Sequence, residues 1–452
     1  MEQFQLTEDL INNITGLISS NNTSDLKNLV KDIHYADMAD IINSLNEFDG
    51  IYLIKLFDSE KTSEILTELD ENVRERILKS LSVKEIAGEI KELDSDDAVD
   101  ILNELPDKRK NEVISEIKDD NLAGDLIELL SYEEDTAGGL MAKELVKANE
   151  NWTVSKCLKE IKKQGENVTR VHSIYVVDGN EKLIGRLSLK DLITANSNRL
   201  IKNIYIPKVD SVDVNEKGDE IAKIMSKYDL EAIPVIDENK QLLGRITIDD
   251  IVDFIKDEAD EDYLIAAGVQ GDVEADDSIF ELTRARLPWL FLGLIGGLGS
   301  VFILEGFEEF MNDPSYKALF FFTPLIAAMA GNVGVQSSAI IVQSLANNTL
   351  DYDSITKKLL KELFVALFNG LICSFIALIF CWITKSDFDL ALTVGVSLVA
   401  VFTYAGLFGT FVPLALNKYN IDPALATGPF ITTTNDVVGL LIYFLIGWAL
   451  YF

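Results

Sequence analysis

The stretch Ala424-Leu-Ala-Thr-Gly-Pro-Phe-Ile-Thr-Thr-Thr-Asn-Asp436-Val-Val-Gly439 opens an apolar run that continues to Phe452. A run of this length is long enough to cross a membrane as a helix. Asp436 is the only charged residue in the last thirty positions. A carboxylate at membrane depth is energetically costly, and such residues mark ion or proton pathways. We therefore expect Asp436 to be the centre of an ion-binding site.

Four further apolar spans precede this one, and the five lie at 288–304, 318–346, 363–384, 390–416 and 424–452. Each reaches or approaches the ~20 residues of a transmembrane helix. The second and fourth spans are longer, which predicts tilted or broken helices with kinks at Pro324 and Pro413. Asp436 is the only charged residue within the five spans.

The short loops carry their basic residues unevenly. The loops on the side of the N-terminus hold Arg284, Arg286, Lys357, Lys358, Lys361 and Lys418, whereas those on the opposite side hold only Lys317 and Lys385. The positive-inside rule therefore predicts a cytoplasmic N-terminus and a C-terminus outside the cell. We expect a multi-pass protein of the plasma membrane, in contact with membrane lipid.

The formal charge of -34 is concentrated in the first part of the chain. Residues 281–452 contain 8 Lys and Arg against 12 Asp and Glu, a net charge of -4, which leaves -30 for residues 1–280. A surface this acidic repels nucleic acids and attracts cations, so no nucleic-acid partner is expected. The three cysteines provide no disulfide framework.

The second and last spans supply oxygen ligands at helical spacing. The candidate residues for ion binding are Asp436, Asn435, Thr432, Asn332 and Gln336. An all-oxygen set with one carboxylate suits a hard cation, and Mg²⁺ in particular, because Mg²⁺ keeps most of its waters. Pro429 lacks an N–H, which predicts a loosened turn whose carbonyls face the ion.

Other interpretations of these residues stay open. Asp436 also suits a proton relay or a buried pair with Asn332, and Gly331, Gly334 and Ser338 suit close helix packing. One carboxylate is little charge for a divalent cation. A two-fold homodimer would bring two copies of Asp436 to one axis.

An internal repeat occupies the middle of the chain. The segment Ile174-Tyr-Val-Val-Asp-Gly-Asn-Glu-Lys-Leu-Ile-Gly-Arg-Leu-Ser-Leu-Lys-Asp-Leu-Ile193 aligns with Ile233-Pro-Val-Ile-Asp-Glu-Asn-Lys-Gln-Leu-Leu-Gly-Arg-Ile-Thr-Ile-Asp-Asp-Ile-Val252. The offset is 59 residues, and eight of the twenty positions are identical. Each copy predicts a strand, a turn, a second strand and a helix.

Both copies resemble the CBS domain. In that family the Ser or Thr and the Asp near the end of the unit hold an adenosine ribose, and the matching residues here are Ser188, Asp191, Thr247 and Asp250. The alternative is that the hydroxyl residue caps the following helix, with Asp in its first turn. ATP binding is therefore an open prediction.

The first 135 residues are predicted to be all-α. The motifs Asp40-Ile-Ile-Asn-Ser-Leu, Glu64-Ile-Leu-Thr-Glu-Leu, Asp100-Ile-Leu-Asn-Glu-Leu and Asp125-Leu-Ile-Glu-Leu-Leu recur with apolar residues at helical spacing. Short repeated amphipathic helices predict an α-solenoid. The segment 132–141 is predicted to be a hinge into the first CBS unit. No catalytic constellation or Walker motif is present, so we expect no enzymatic activity.

Carboxylates are clustered where these modules are expected to meet. The candidate regulatory metal ligands are Asp94, Asp96, Asp97, Asp100, Asp249, Asp250, Asp253, Asp257, Glu258 and Glu261. Runs of charge are also typical of a solvated surface. Two carboxylates about 4 Å apart repel by on the order of 4 kcal/mol at a surface-like dielectric, and a divalent cation reverses that sign. We therefore predict that cation binding draws the modules together.

These features together resemble the MgtE family of magnesium transporters and channels. The membrane motifs are Ala330-Gly-Asn-Val-Gly-Val-Gln336, Asp422-Pro-Ala-Leu425 and Asn435-Asp-Val-Val-Gly439. The resemblance implies a homodimeric Mg²⁺ pore with Asp436 at the ion site. It also implies closure by cytosolic Mg²⁺ through the acidic clusters, to which Asp422 belongs. The chain departs from the family pattern at Gly428, where Asn is expected.

We predict a multidomain membrane protein with four parts: an all-α helical-repeat N domain (1–135), an α/β tandem CBS pair (136–257), a connecting helix (258–280) and a five-helix transmembrane domain (281–452). The predicted function is Mg²⁺ influx down the electrochemical gradient through a channel that cytosolic Mg²⁺ closes. The alternatives are a divalent cation/proton antiporter and a membrane-anchored nucleotide sensor without transport activity.

Overall fold

A computed structural model describes residues 4–451, except for 166–167, 169, 272, 274, 276, 309–316, 347–354, 420 and 427. The chain consists of two compact units, Met1–Lys256 and Asp257–Phe452. The first unit holds short helices and two small β-sheets, and the second holds the long apolar helices.

The first unit begins with a series of helices that are each eight to twelve residues long. They are α1 (Glu8–Ser19), α2 (Thr23–Val30), α3 (Tyr35–Asn43), α4 (Glu47–Ile54), α5 (Ser59–Thr67), α6 (Glu71–Ser80), α7 (Val83–Ile90), α8 (Ser95–Asn103), α9 (Asp107–Glu116) and α10 (Asp120–Leu129). Helices two apart in sequence pack together, as α3 does on α5 and α7 on α9. The predicted solenoid of amphipathic helices is confirmed.

Side-chain caps mark the start of seven of these ten helices. Asn46, Asp58 and Ser82 each accept a hydrogen bond from the backbone N–H three residues later, which satisfies a donor at the start of the helix. In α7, Glu85 completes a capping box by accepting from the N–H of Ser82. The regular caps explain why the apolar pattern breaks into short repeats.

Both copies of the internal repeat fold alike. The first contains β1 (Val146–Asn149), α11 (Val154–Gln164), β2 (Ile174–Val177), β3 (Leu183–Leu187) and α12 (Leu189–Thr194), and the second contains β4 (Val212–Asp213), α13 (Gly218–Tyr228), β5 (Ala232–Ile236), β6 (Leu242–Thr247) and α14 (Ile248–Ala267). In each sheet the outer strands flank a central strand, one parallel and one antiparallel to it. The predicted strand, turn, strand and helix are confirmed.

The segment 132–141 is not a hinge into the first repeat. The N–H of Ala137 donates to the carbonyl of Glu216, and the N–H of Gly138 donates to the carbonyl of Val214. The segment is therefore paired with the second repeat. The prediction was wrong because this pairing is non-local and leaves no periodic signal in the sequence.

The helix α14 carries four of the eight acidic residues that the sequence assigned to a connecting helix at 258–280. It begins inside the second repeat, because the hydroxyl and N–H of Thr247 donate to Asp250 in its first turn. It ends before Gly268, whose φ of +81° breaks the helix. The next described helix begins at Ile279.

Five of the described helices are long and apolar enough to cross a membrane. They are α15 (Ile279–Gly306), α17 (Thr323–Ala346), α18 (Ile355–Ile383), α19 (Phe388–Lys418) and α20 (Gly428–Tyr451). A short helix, α16 (Lys317–Phe320), precedes α17, so the second span is broken as predicted. Pro324 lies in the first turn of α17, where a missing N–H costs nothing, and is not a kink.

The helix α19 is the scaffold of the membrane unit. It is the most buried of these five helices and packs against α17, α18 and α20. A Cβ at Gly409 of α19 would overlap the backbone carbonyl of Gly334 on α17. Small residues therefore allow the helices to approach as closely as their backbones permit.

One carboxylate of the solenoid is buried, and only one of its two oxygens has a hydrogen-bond partner among the described residues. Glu89 on α7 is 9% exposed, and its Oε1 accepts a hydrogen bond from Ser59 at 3.4 Å. Its Oε2 has no partner among the residues that the structure describes. Burial raises the pKa of Glu89 from 4.5 to about 7.

Replacing Glu89 by Gln is expected to raise the free energy of unfolding of the solenoid at pH 8 and to change it little at pH 5. Because the folded pKa of about 7 exceeds the ordinary 4.5, stability is lost as the pH rises between these values. Amide exchange of α5 and α7 at both pH values measures the effect, with Glu116→Gln at an exposed position as the control. Equal changes at pH 5 and pH 8 would contradict the prediction.

Candidate functional site

The first turn of α20 is built around a close backbone approach. Gly428 has a φ of +46°, and a Cβ there would overlap the carbonyl oxygen of Ala266 in α14. A Cβ at Gly268 would likewise overlap the ring of Pro429. The departure from Asn at position 428 therefore has a steric cause, since glycine alone tolerates both the φ and the contact.

Pro429 occupies the second position of α20, where its missing N–H leaves no helical hydrogen bond unmade. The carbonyl of Gly428 accepts a hydrogen bond from the hydroxyl of Thr432 at 3.0 Å. The structure therefore gives this carbonyl a hydroxyl partner, and the loosened turn with carbonyls facing an ion stays a prediction.

Close packing of α17 on α20 places Asp436. A Cβ at Gly331 would lie 2.9 Å from Asp436 Oδ1 and 3.0 Å from Thr432 Cγ2. Almost one turn later on α17, a Cβ at Gly334 would overlap the carboxamide of Asn435. The small residues of α17 thus serve helix packing, and that packing brings Thr432, Asn435 and Asp436 against one helix.

Polar atoms at this contact are buried without partners. Asn435 is fully buried, and neither its Oδ1 nor its Nδ2 forms a hydrogen bond to another described residue. Oδ1 of Asp436 is also unpartnered within the described residues. Leaving a buried polar group unsatisfied costs about 1–3 kcal/mol, and water or an ion is a common explanation. A hard cation beside Asp436 fits this oxygen.

The other predicted ligands, Asn332 and Gln336, lie on the exposed face of α17. They share that face, as their spacing predicted. Because Asp436 Oδ1 has no partner among the described residues, the alternative of a buried pair between this atom and Asn332 is not formed. The two amides are therefore open to water, to an ion or to a second subunit.

Another carboxylate of the membrane helices contacts two neighbouring helices. Glu362 of α18 accepts a hydrogen bond from the hydroxyl of Ser337 on α17 at 2.6 Å. A Cβ at Gly406 of α19 would lie 3.0 Å from Glu362 Oε1. The sequence analysis missed this pair because its third span started at 363, whereas α18 starts eight residues earlier at Ile355. The available signal was a carboxylate immediately before an apolar run.

In the first unit, acidic residues of α8 lie close to the start of α14. Burial first, and then the charge of Asp250, raises the pKa of Asp96 and of Asp97, the latter to about 7. Burial also raises the pKa of Asp250, although Thr247 donates to it at 2.6 and 2.8 Å. Burial first, with the charge of Asp250 among the further causes, also raises the pKa of Asp100 to about 6, so the structure brings together four of the predicted regulatory carboxylates.

The remaining predicted regulatory ligands are exposed, except for Asp94, which pairs with Arg245. The exposed ones are Asp249, Asp253, Asp257, Glu258, Glu261 and Asp422. Within the described residues, no group of three or more His, Cys, Asp or Glu side chains is arranged to hold a metal ion. Any Mg²⁺ here would keep most of its waters, which is this ion's usual behaviour.

Arg245 joins α8 to the CBS pair and was not singled out from the sequence. It is 6% exposed, its Nη2 lies 3.3 Å from Asp94 Oδ2, and its Nε donates to the carbonyl of Glu144. The carboxylate of Glu144 accepts from the N–H and hydroxyl of Ser95 at 3.0 and 2.8 Å. The available signal was the identity of Arg186 and Arg245 in the two repeats.

The predicted nucleotide-binding residues take part in helix capping. The hydroxyl of Ser188 accepts from the N–H of Lys190 at 3.2 Å, and Thr247 and Asp250 are hydrogen-bonded to each other. Asp191 is exposed. The capping interactions are therefore present, and nucleotide binding stays a prediction.

Comparison with known proteins gives matches along most of the chain. A divalent cation transporter model, MgtE, matches residues 323–446, the MgtE intracellular N domain model matches 33–135, and the CBS domain model matches 137–198 and 201–257. The magnesium transporter MgtE of Bacillus subtilis is 34% identical over 321 residues, which are 71% of each chain. That of Thermus thermophilus is 37% identical over 321 residues, which are 70% of each chain.

Two solved structures resemble about half of this chain. The soluble part of a magnesium transporter has a TM-score of 0.50 at 30% identity and covers 56% of this chain and 99% of its own. The cytosolic domain of the Mg²⁺ channel MgtE in complex with ATP has a TM-score of 0.51 at 29% identity, covering 54% and 99%. The predicted multidomain membrane layout is confirmed.

Replacing Asp97 by Asn is expected to make the docking of α8 on the CBS pair less sensitive to pH when divalent cations are absent. Because the pKa of Asp97 is raised to about 7, docking is stabilised at low pH and weakens as the pH rises through that value. Amide exchange of α8 in EDTA, corrected for the intrinsic pH dependence, measures this, with exposed Asp107→Asn as the control. Identical pH slopes for wild type and Asp97→Asn would sink the prediction.

Proposed function

Because this chain belongs to the MgtE family of magnesium transporters, we propose that it is a channel that conducts Mg²⁺ past Asp436 into the cytosol. The observation that carries this proposal is the unpartnered carboxylate oxygen of Asp436 where two membrane helices pack closely. A carboxylate in that position attracts a cation, and no cationic side chain among the described residues competes with the cation for it.

The ligand chemistry supports Mg²⁺ as the ion. One carboxylate with nearby hydroxyl and amide oxygens suits a hydrated Mg²⁺, which needs few direct protein ligands. A homodimer with α17 and α20 at its axis would double the carboxylates and face Asn332 and Gln336 toward the ion. Two copies of Asp436 would then balance the charge of one divalent cation.

Influx needs no ATP hydrolysis under the proposed orientation. With the N-terminus in the cytosol of a plasma-membrane protein, the membrane potential contributes ~2.3 kcal/mol per charge per 100 mV. A divalent cation gains about twice that on entry. The potential is therefore a sufficient driving force for uptake.

We also propose that cytosolic Mg²⁺ closes the channel. When α8 is docked, burial first and then the charge of Asp250 disfavour the charged forms of Asp96 and Asp97 and raise their pKa values. Arg245 offsets the charge of Asp94. A bound Mg²⁺ would offset the remaining negative charge of these carboxylates and favour the docking of α8 on the CBS pair. We further propose that ATP binds at Ser188, Asp191, Thr247 and Asp250, because a related cytosolic domain was solved in complex with ATP.

Asp436→Ala in proteoliposomes is expected to reduce Mg²⁺ influx by at least about tenfold, since a binding loss of ~1.4 kcal/mol already has that effect. Asp389→Asn, which neutralises an exposed carboxylate of α19, is the matched control. Wild-type flux is measured with and without a pH gradient. Unchanged flux in Asp436→Ala would point to a protein that does not use this site, and flux that requires the pH gradient would point to an antiporter.

Neutralising Asp96, Asp97, Asp250 and Glu258 together is expected to raise the internal Mg²⁺ concentration that closes the channel by about tenfold, since two or more ionic contacts are lost. Flux is measured against internal Mg²⁺ with Asp107→Asn as the control. Mg²⁺ sensitivity that survives these substitutions, or removal of residues 1–260, would show that the sensor lies elsewhere.

A further inference from the structure

Glu362 joins three membrane helices at one point. Its Oε1 accepts the hydroxyl hydrogen of Ser337 on α17 at 2.6 Å, a distance in the range of about 2.5–2.7 Å for hydrogen bonds to a carboxylate. It reaches α17 across Gly406 of α19, where a Cβ would lie only 3.0 Å from the same oxygen. The missing side chain at 406 thus makes room for this bond.

The hydrogen bond between Ser337 and Glu362 lies within both helices and not at their ends. Glu362 is about two turns into α18, and Asp436 is about two turns into α20. Lys357, Lys358 and Lys361 precede Glu362 on the same helix, and the hydroxyl of Ser337 is the hydrogen-bond donor that reaches it from α17. Ser337 itself is 5% exposed.

The bond also fixes how α17 is rotated about its own axis. Successive residues of a helix are about 100° apart, so Ser337 lies about 120° around α17 from Gly331. On the same scale Asn332 and Gln336 lie about 120° away on the other side of Gly331. One side of α17 therefore contacts Asp436, the second is bound by Glu362, and the third is the exposed amide face.

We propose that Glu362 is a positioning residue: through Ser337 it fixes the rotation of α17, holds Gly331 against Asp436 and directs Asn332 and Gln336 to the ion path. This inference rests on the proposed function of Asp436. Loss of the bond lets α17 turn, which changes the spacing of the oxygen ligands. A change in that spacing affects selectivity among cations more than it affects the number of folded channels, because Mg²⁺ demands a stricter ligand geometry than Ca²⁺.

The hydrogen bond and the charge of Glu362 make different predictions. If the bond matters, Glu362→Gln retains function, because its amide oxygen still accepts from Ser337. If the negative charge itself attracts the ion, Glu362→Gln fails and Ser337→Ala is harmless. A double-mutant cycle separates these cases.

The experiment measures the ratio of Mg²⁺ to Ca²⁺ flux in proteoliposomes for Ser337→Ala, Glu362→Ala, the double variant and Glu362→Gln. We expect the ratio to fall by about tenfold in each Ala variant and no further in the double variant. Glu362→Gln should keep the wild-type ratio. Because a ratio is measured, a smaller amount of folded protein does not imitate the effect.

Gly406→Ala, which pushes on Glu362 and leaves every polar group in place, should lower the ratio as well. Gly293→Ala on α15, where a Cβ meets nothing within 4 Å, is its control. Additive effects in the cycle, or a Glu362→Gln ratio as low as that of Glu362→Ala, would overturn the inference. An inactive Asp436→Ala alongside an unchanged ratio in Ser337→Ala would overturn it while leaving the proposed function intact.

Discussion

The membrane unit is organised around one electrostatic constraint: the negative charge of a carboxylate within apolar helices must be balanced by a cation or by hydrogen-bond donors. Asp436 has no cationic side chain beside it within the described residues, and its Oδ1 has no hydrogen-bond donor. The neighbouring helices approach so closely, at Gly331 and Gly334, that another protein side chain has no room there. The central helix α19 packs against both α17 and α20 and holds this close approach in place.

The same cost of burying a negative charge applies to carboxylates of the first unit. Asp96, Asp97 and Asp250 are held near one another by the packing of α8 and the start of α14, and burial keeps their pKa values high. Arg245 supplies one positive charge, to Asp94, and the structure thus leaves a surplus of negative charge. Both units therefore hold carboxylates whose charged forms are disfavoured by their surroundings.

Local patterns in the sequence predicted the architecture. Helical periodicity gave the solenoid, a repeat at a fixed offset gave the two β-sheets, and apolar length gave the membrane helices. The Asp436 site was found because a single charge stands out in an apolar run. The surroundings of that charge could not be predicted, because the approach of Gly331 depends on how helices pack. The contacts of Arg245 and Glu362 also depend on packing between elements far apart in sequence.

The contact between Gly428 and Ala266 has a mechanical consequence. A backbone carbonyl that rests on a bare Cα has no rotatable side chain between the two elements. Side chains elsewhere absorb small displacements by changing rotamer, but this joint has no such slack. A displacement of the end of α14 would therefore pass to the start of α20 with no side chain between them to absorb it.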